Sequence, residues 1–107
     1  MLDVSRIDAV LFSIIVSFRD KNTERLWAGE FVKAFEPSRE QAEKRIRVLE
    51  CAESLFVLKA LRSNRLETLK GDRKGQYSIR VNDQWRICFE WQDGATGPSK
   101  VEIVDYH

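Results

Sequence analysis

Three features of the sequence predict an α+β fold. Apolar residues recur at helical spacing between about residues 23 and 50, and from Arg65 onward the pattern changes to a period of two. Turn-forming residues then separate successive short apolar runs: Gly71–Gly75, Asn82-Asp83 and Asp93–Pro98. The implied order is β-α-α-β-β-β-β, with two N-terminal helices on one face of a mainly antiparallel sheet of four to five strands. A chain of 107 residues is expected to form a single domain, 1–107, with residues 1–13 as an irregular N-terminal extension.

Each element has its own signal. Leu11 to Arg19 is rich in β-branched and aromatic residues and predicts the first strand. Thr23 is suited to cap a helix on which Trp27, Phe31 and Phe35 form a core-facing stripe. Ser38 and Gln41 have the spacing of a capping box for a second helix. Ala42, Ile46 and Leu49 form its buried stripe, and Glu40, Glu43, Lys44, Arg47 and Glu50 its wet side. Ser54 to Leu61 reads as a shorter helical turn. Strands follow at Arg65–Lys70, Gln76–Val81, Trp85–Trp91 and Lys100–Tyr106.

Composition narrows the function. Hydrophobic residues make up 43% and charged residues 33%, and no apolar run is long enough to span a bilayer. The apolar stretch Val10–Val16 lacks a basic start and a small-residue cleavage site, so it is expected to be a buried strand and not a signal peptide. Cys51 and Cys88 stand alone in their segments and the chain has one His, which argues against a zinc site. They are expected to be free, buried thiols in a cytoplasmic protein without a cofactor. Net charge is only +1, yet Arg62 to Trp91 holds seven basic residues against four acidic ones. Such a local excess suits a phosphate-facing patch.

Strand alternation puts Tyr77, Ile79 and Val81 on one face with Trp85, Ile87, Phe89 and Trp91. Ser78, Arg80, Arg86, Cys88 and Glu90 then fall on the other, which is expected to be open. On that surface Lys70, Arg73, Lys74, Arg80 and Arg86 can converge with the chain end Asp105-Tyr106-His107. The set suits metal-free RNA cleavage, in which a 2′-hydroxyl attacks the adjacent phosphorus. Such a site needs a proton acceptor, a proton donor and cations for the charge that grows on phosphorus. Arg86 and Lys70 can supply the cations, and Arg73, Lys74 and Arg80 can hold RNA. His107 titrates near neutrality, and Asp105 with the chain's own carboxylate favours its protonated, proton-donating form. Tyr106 can stack on a base.

The run Asn64–Phe89, with its Leu69-Lys70-Gly71-Asp72 and Gln84-Trp85-Arg86-Ile87 motifs, resembles the signature of HigB (host inhibition of growth) toxins of the RelE/ParE superfamily. Val101–His107 resembles the family's C-terminal end and Ser17–Glu24 its first strand and helix start, so the likeness covers residues 14 to 107. It implies a compact α+β toxin of a type II toxin–antitoxin system that cuts messenger RNA in the ribosomal A site. It further implies a helix-turn-helix, HigA-like antitoxin, operator DNA bound only through the complex, and no membrane partner. By the same resemblance Lys70, Arg86, Asp105, Tyr106 and His107 are the working residues. The chain departs from the family at Leu61-Arg62-Ser63, where many members have Pro-Gly, and at Glu67, where some carry His. A gyrase-binding, ParE-like toxin and a module without activity are the other readings. The complete Asp-Tyr-His end and the Lys70/Arg86 pair argue against the gyrase binder.

Overall fold

The computed structural model describes residues 14–105. Among the described residues three α-helices precede the sheet: α1 (Lys21–Trp27), α2 (Arg39–Cys51) and α3 (Leu55–Ala60), with a 3-10 helix over Lys33–Ser38 before α2. Strands β1 (Glu67–Thr68), β2 (Gln76–Arg80), β3 (Trp85–Glu90) and β4 (Ser99–Asp105) form one antiparallel sheet in sequential order. The α+β class stands, but with three helices in place of two. The sequential strand order follows from the short turns, which let each strand fold back on the one before.

The strand expected over Leu11–Arg19 is not formed in its described part. Residues 16–19 run beside β4 with a single parallel bridge, Phe18 to Val101. The reason lies in β4. Lys100 has φ of 52°, its N–H donates to the Ser17 hydroxyl at 3.0 Å, and the β3–β4 register shifts between Cys88 and Glu90. A regular ladder does not propagate past such an irregular edge. Gly97 lies tight against this segment, since a Cβ there would fall 1.8 Å from the Ile14 carbonyl oxygen.

Local caps also differ from expectation. Asp20, not Thr23, caps α1: its carboxylate accepts the Thr23 N–H at 3.3 Å. Thr23 is buried inside the helix, and its hydroxyl accepts the Ile103 N–H of β4 at 2.9 Å. Because α1 stops at Trp27, Phe31 leaves the predicted stripe and is 58% exposed. Phe35 is buried edge-on against Trp85, with ring centroids 5.2 Å apart. Ser38 sits at the start of α2 but makes no capping bond. Instead Ser38 and Gln41 both accept from the Asn82 side chain, at 3.0 and 2.7 Å, pinning the β2–β3 turn to α2. In α2 the stripe Ala42, Ile46 and Leu49 is fully buried as expected. Glu50 is not on the wet side: it is buried and accepts from the Trp27 indole at 2.9 Å and from Arg47 at 3.1 Å. The helical turn expected over Ser54–Leu61 is formed as α3, and Ser54 caps it by accepting the Val57 N–H at 3.2 Å.

One hydrophobic core joins Leu26, Phe35, Ala42, Ile46, Leu49 and Leu58 to Ile79, Ile87, Phe89, Val101 and Ile103 of the sheet. The alternation read from the strands therefore holds for the apolar set. Of the two free cysteines Cys88 is buried and Cys51 exposed, against the expectation that both are buried. Among the described residues no helix is long and apolar enough to cross a membrane.

Candidate active site

The polar face of the sheet is not open, as alternation alone suggested. Ser78 and Cys88 are fully buried and Arg86 is 7% exposed. Charged side chains pair with one another across this face. Arg73 donates to Gln76 at 3.0 Å and to Glu102 at 3.3 Å. Arg19 pairs with Glu102 and Glu90 at 3.5 and 3.7 Å, and Lys100 pairs with Glu90 at 3.3 Å. Burial pushes the Cys88 thiol up from its ordinary range. The Arg73 charge opposes the rise most, Glu102 adds to it, and Arg86 and Arg19 oppose it further.

Arg86 is the best-held cation of this face. Its Nε donates to the Ser78 hydroxyl at 2.8 Å. One terminal nitrogen donates to the Arg65 carbonyl at 2.6 Å and the Ser78 carbonyl at 3.3 Å. The other lies 3.9 Å from the Glu67 carboxylate, whose side chain is half exposed. This clamp depends on the turn before β1. Asn64 is fully buried, donates to the Leu58 carbonyl at 3.0 Å and accepts from Arg45 at 2.9 Å. Arg65 then takes φ of 45°, an uncommon left-handed conformation for a residue with a side chain. The Asn64-Arg65-Leu66 segment thus presents the carbonyl that receives Arg86.

The residues singled out from the sequence divide into two groups. Arg80 and Arg86 are register partners at one end of the sheet, and Arg80 pairs with Asp83 in the adjoining turn. Lys70, Arg73 and Lys74 lie at or beside the β1–β2 turn, at the other end. The Leu69 N–H bonds to the Gln76 carbonyl, so Lys70 lies one residue past Gln76 and five residues from the Arg80–Arg86 pair. At strand spacing that is about 17 Å along the sheet. Side chains narrow this gap: Arg73 reaches Glu102, and the Arg86 guanidinium reaches Ser78 and Glu67, all at the level of the Glu67–Ser78–Cys88–Glu102 register. Lys70 and Arg86 thus start from different levels of the sheet. The period-two pattern shows which face a residue occupies but not its level along the sheet, which the register sets.

Asp105 pairs with Trp85 at the Arg86 end. Alternation turns its side chain to the Ile103 side, away from Arg86, and its carboxylate accepts from Gln84 at 3.2 Å. Tyr106 and His107 lie outside the described residues. Sequence reasoning missed Ser78 and the Arg65 carbonyl as holders of Arg86 and assigned no role to Glu67. Ser78 did carry a signal, as a small polar residue two positions from Arg80 on the same strand face. The Arg65 backbone carried none.

A cation locked in place and flanked by a carboxylate suits stabilisation of a transferring phosphoryl group with proton transfer alongside it. Comparison with known proteins places this geometry in context. The sequence model of the family described as RelE-like toxin of type II toxin-antitoxin system HigB matches residues 16–107. Toxin HigB-1 of Vibrio cholerae serotype O1 is 33% identical over 81 residues, 74% of this chain and 85% of that protein. The fold is similar to the YoeB/ParE toxin from Agrobacterium tumefaciens, with a TM-score of 0.52 and 17% identity over 87% of this chain and 98% of that one. It is also similar to YoeB from Staphylococcus aureus, solved as a dimer, with a TM-score of 0.51 and 21% identity over 87% and 94% of the two chains. These matches, together with the RelE-like arrangement of helices and sheet, place the chain in the HigB-like family of type II toxin–antitoxin toxins.

Proposed function

We propose that this toxin is a metal-independent endoribonuclease that cuts messenger RNA in the A site of the ribosome and so inhibits translation and growth. The observation that carries the reading is the buried Arg86 guanidinium, clamped by Ser78 and the Arg65 carbonyl beside the Glu67 carboxylate. A cation that needs no reorganisation during the reaction stabilises the charge growing on phosphorus most effectively. In the proposed step Glu67 takes the proton of the 2′-hydroxyl as its oxygen bonds to phosphorus. The bond to the 5′-oxygen breaks, and His107 returns a proton to that oxygen. The products are a 2′,3′-cyclic phosphate and a 5′-hydroxyl. Tyr106 stacks on a base next to the cut, and Asp105, through its bond with Gln84, steadies the strand end that leads to His107. Arg73, Lys74 and Arg80 hold the RNA backbone, and Lys70 contributes from the β1–β2 turn.

The further parts of the reading follow the family. The toxin acts in the cytoplasm, a HigA-like helix-turn-helix antitoxin is its partner, and operator DNA is bound only through their complex. The test is cleavage of a defined message by purified toxin with and without ribosomes. Cuts ending in a 2′,3′-cyclic phosphate that appear only with ribosomes support the reading. DNA breaks in treated cells without message cuts would point to a gyrase poison.

A further inference from the structure

We infer that the exposed apolar face of α3 is the seat of the antitoxin, and that it takes a segment with apolar side chains flanked by acidic ones. The inference rests on membership of a toxin–antitoxin family and not on the proposed RNA chemistry. Helix α3 and the residue after it read Leu55-Phe56-Val57-Leu58-Lys59-Ala60-Leu61, and only Leu58 is buried in the core. Phe56 is 79% exposed, and Val57 and Leu61 are each 46% exposed. These are three of the five large hydrophobic residues exposed among the described residues, and they lie within six positions. Beside them is a groove of about 280 Å³ lined by Leu55, Phe56, Lys59, Leu66, Thr68 and Tyr77. Clustered exposure of this kind marks a partner surface, whereas single exposed apolar residues need no explanation.

Charge and chemistry select the occupant. From residue 53 to residue 70 the exposed charges are Lys59, Arg62, Arg65 and Lys70 against Glu53 and Glu67, and Glu67 faces Arg86. A basic rim around an apolar centre fits an acidic amphipathic segment. Aliphatic Val57, Leu61 and Leu66 favour protein over RNA, whose bases need flat aromatic or guanidinium partners. The rim also disfavours a second copy of the chain, which would bring the same positive charges together. The seat and the clamp lie on opposite faces of one segment: Leu66 and Thr68 turn to the groove, Glu67 turns to Arg86, and Arg65 supplies the carbonyl that holds Arg86. An antitoxin bound there would lie against the backbone that positions Arg86.

The test uses the full-length toxin and the purified antitoxin encoded with it. Phe56→Glu is expected to weaken binding by about 30-fold or more, as loss of an interface anchor does. Phe56→Leu is expected to bind almost as wild type. The double variant Lys59→Glu, Arg62→Glu is expected to weaken binding and flatten its dependence on salt. Hydrogen exchange of residues 55–61 should slow on complex formation. Unchanged antitoxin affinity in Phe56→Glu, with the thermal midpoint of the free toxin preserved, would overturn the inference. If that variant lost ribosome binding or self-association while antitoxin affinity held, the surface would belong to RNA or to a second copy. Either result overturns the assignment. Because every readout is binding or exchange, a toxin that failed to cut RNA would leave this test intact.

Discussion

Among the described residues Arg86 is the only buried cation, and its role and its cost are linked. Arg86→Lys keeps one charge but loses the fork that bonds Ser78 and the Arg65 carbonyl together and that, in the proposed reaction, would also meet a phosphoryl oxygen. Cleavage should fall by about 100-fold or more, as when a preorganised donor is removed. Arg86→Ala should also lower unfolding free energy by about 1–3 kcal/mol, because Ser78 and the Arg65 carbonyl lose their buried partner. Urea titration checks this, and a loss below about 0.5 kcal/mol would show that the clamp is not structural. Cys88 provides a pH test. Its thiol is held above its ordinary range, so the folded state prefers it protonated. That contribution is complete below the unfolded thiol's pKa of about 8.5 and is lost as pH rises from there through the higher folded value. Stability should therefore drop more between pH 7 and about pH 10 in wild type than in Cys88→Ala. Equal slopes would remove burial of this thiol from the account.

At the scale of elements, a long-range side-chain bond takes the place of the expected cap at α2, whereas Asp20 and Ser54 cap α1 and α3 locally. Asn82 accepts from the N–H groups of Gln84 and Trp85, both at 2.9 Å, while donating to Ser38 and Gln41. Asn82→Ala should cost about 1–3 kcal/mol in chemical denaturation and loosen the β2–β3 turn against α2. A cost near zero would mean that water replaces these bonds. The sequence marked Ser38 and Gln41 as a capping box, and the cap bond is not made. It did not reveal that their partner lies more than forty positions away in a strand turn. Thr23 is similar, since a good capping residue is used instead to satisfy a β4 N–H. The buried stripe of α2 and the apolar face of β2 and β3 were legible because periodicity records which residues meet the core, whereas the burial of Ser78, Arg86 and Cys88 on the other face was not. The single bridge in place of a strand over residues 14–19 was not legible either, because it depends on the positive φ of Lys100 in a distant partner.

For the whole molecule, the central result is that the cation backbones start from the two ends of one sheet, while the Arg73 and Arg86 side chains reach the same level beside Cys88. Register sets these starting levels, and register depends on long-range pairing that no local pattern displays. Lys70 and Lys74 near the β1–β2 turn should act mainly in binding. Replacing Lys74 with Ala is expected to raise KM, keep kcat, and reduce the salt slope of RNA binding by about 0.7, the share of one phosphate contact on a single strand. A fall in kcat with unchanged KM would put Lys74 at the chemistry instead. Of the candidate site, the sequence shows the face that Arg86 occupies but not the Ser78 and Arg65 groups that hold it, nor the sheet level from which Lys70 starts. The most direct test of the account is single-turnover cleavage of a defined message on purified ribosomes, comparing wild type with Glu67→Gln and Arg86→Lys. The account predicts 2′,3′-cyclic phosphate ends from wild type and a loss of about 100-fold in each variant with ribosome binding retained. Wild-type rates in either variant, or no cleavage by the wild-type toxin, would contradict it.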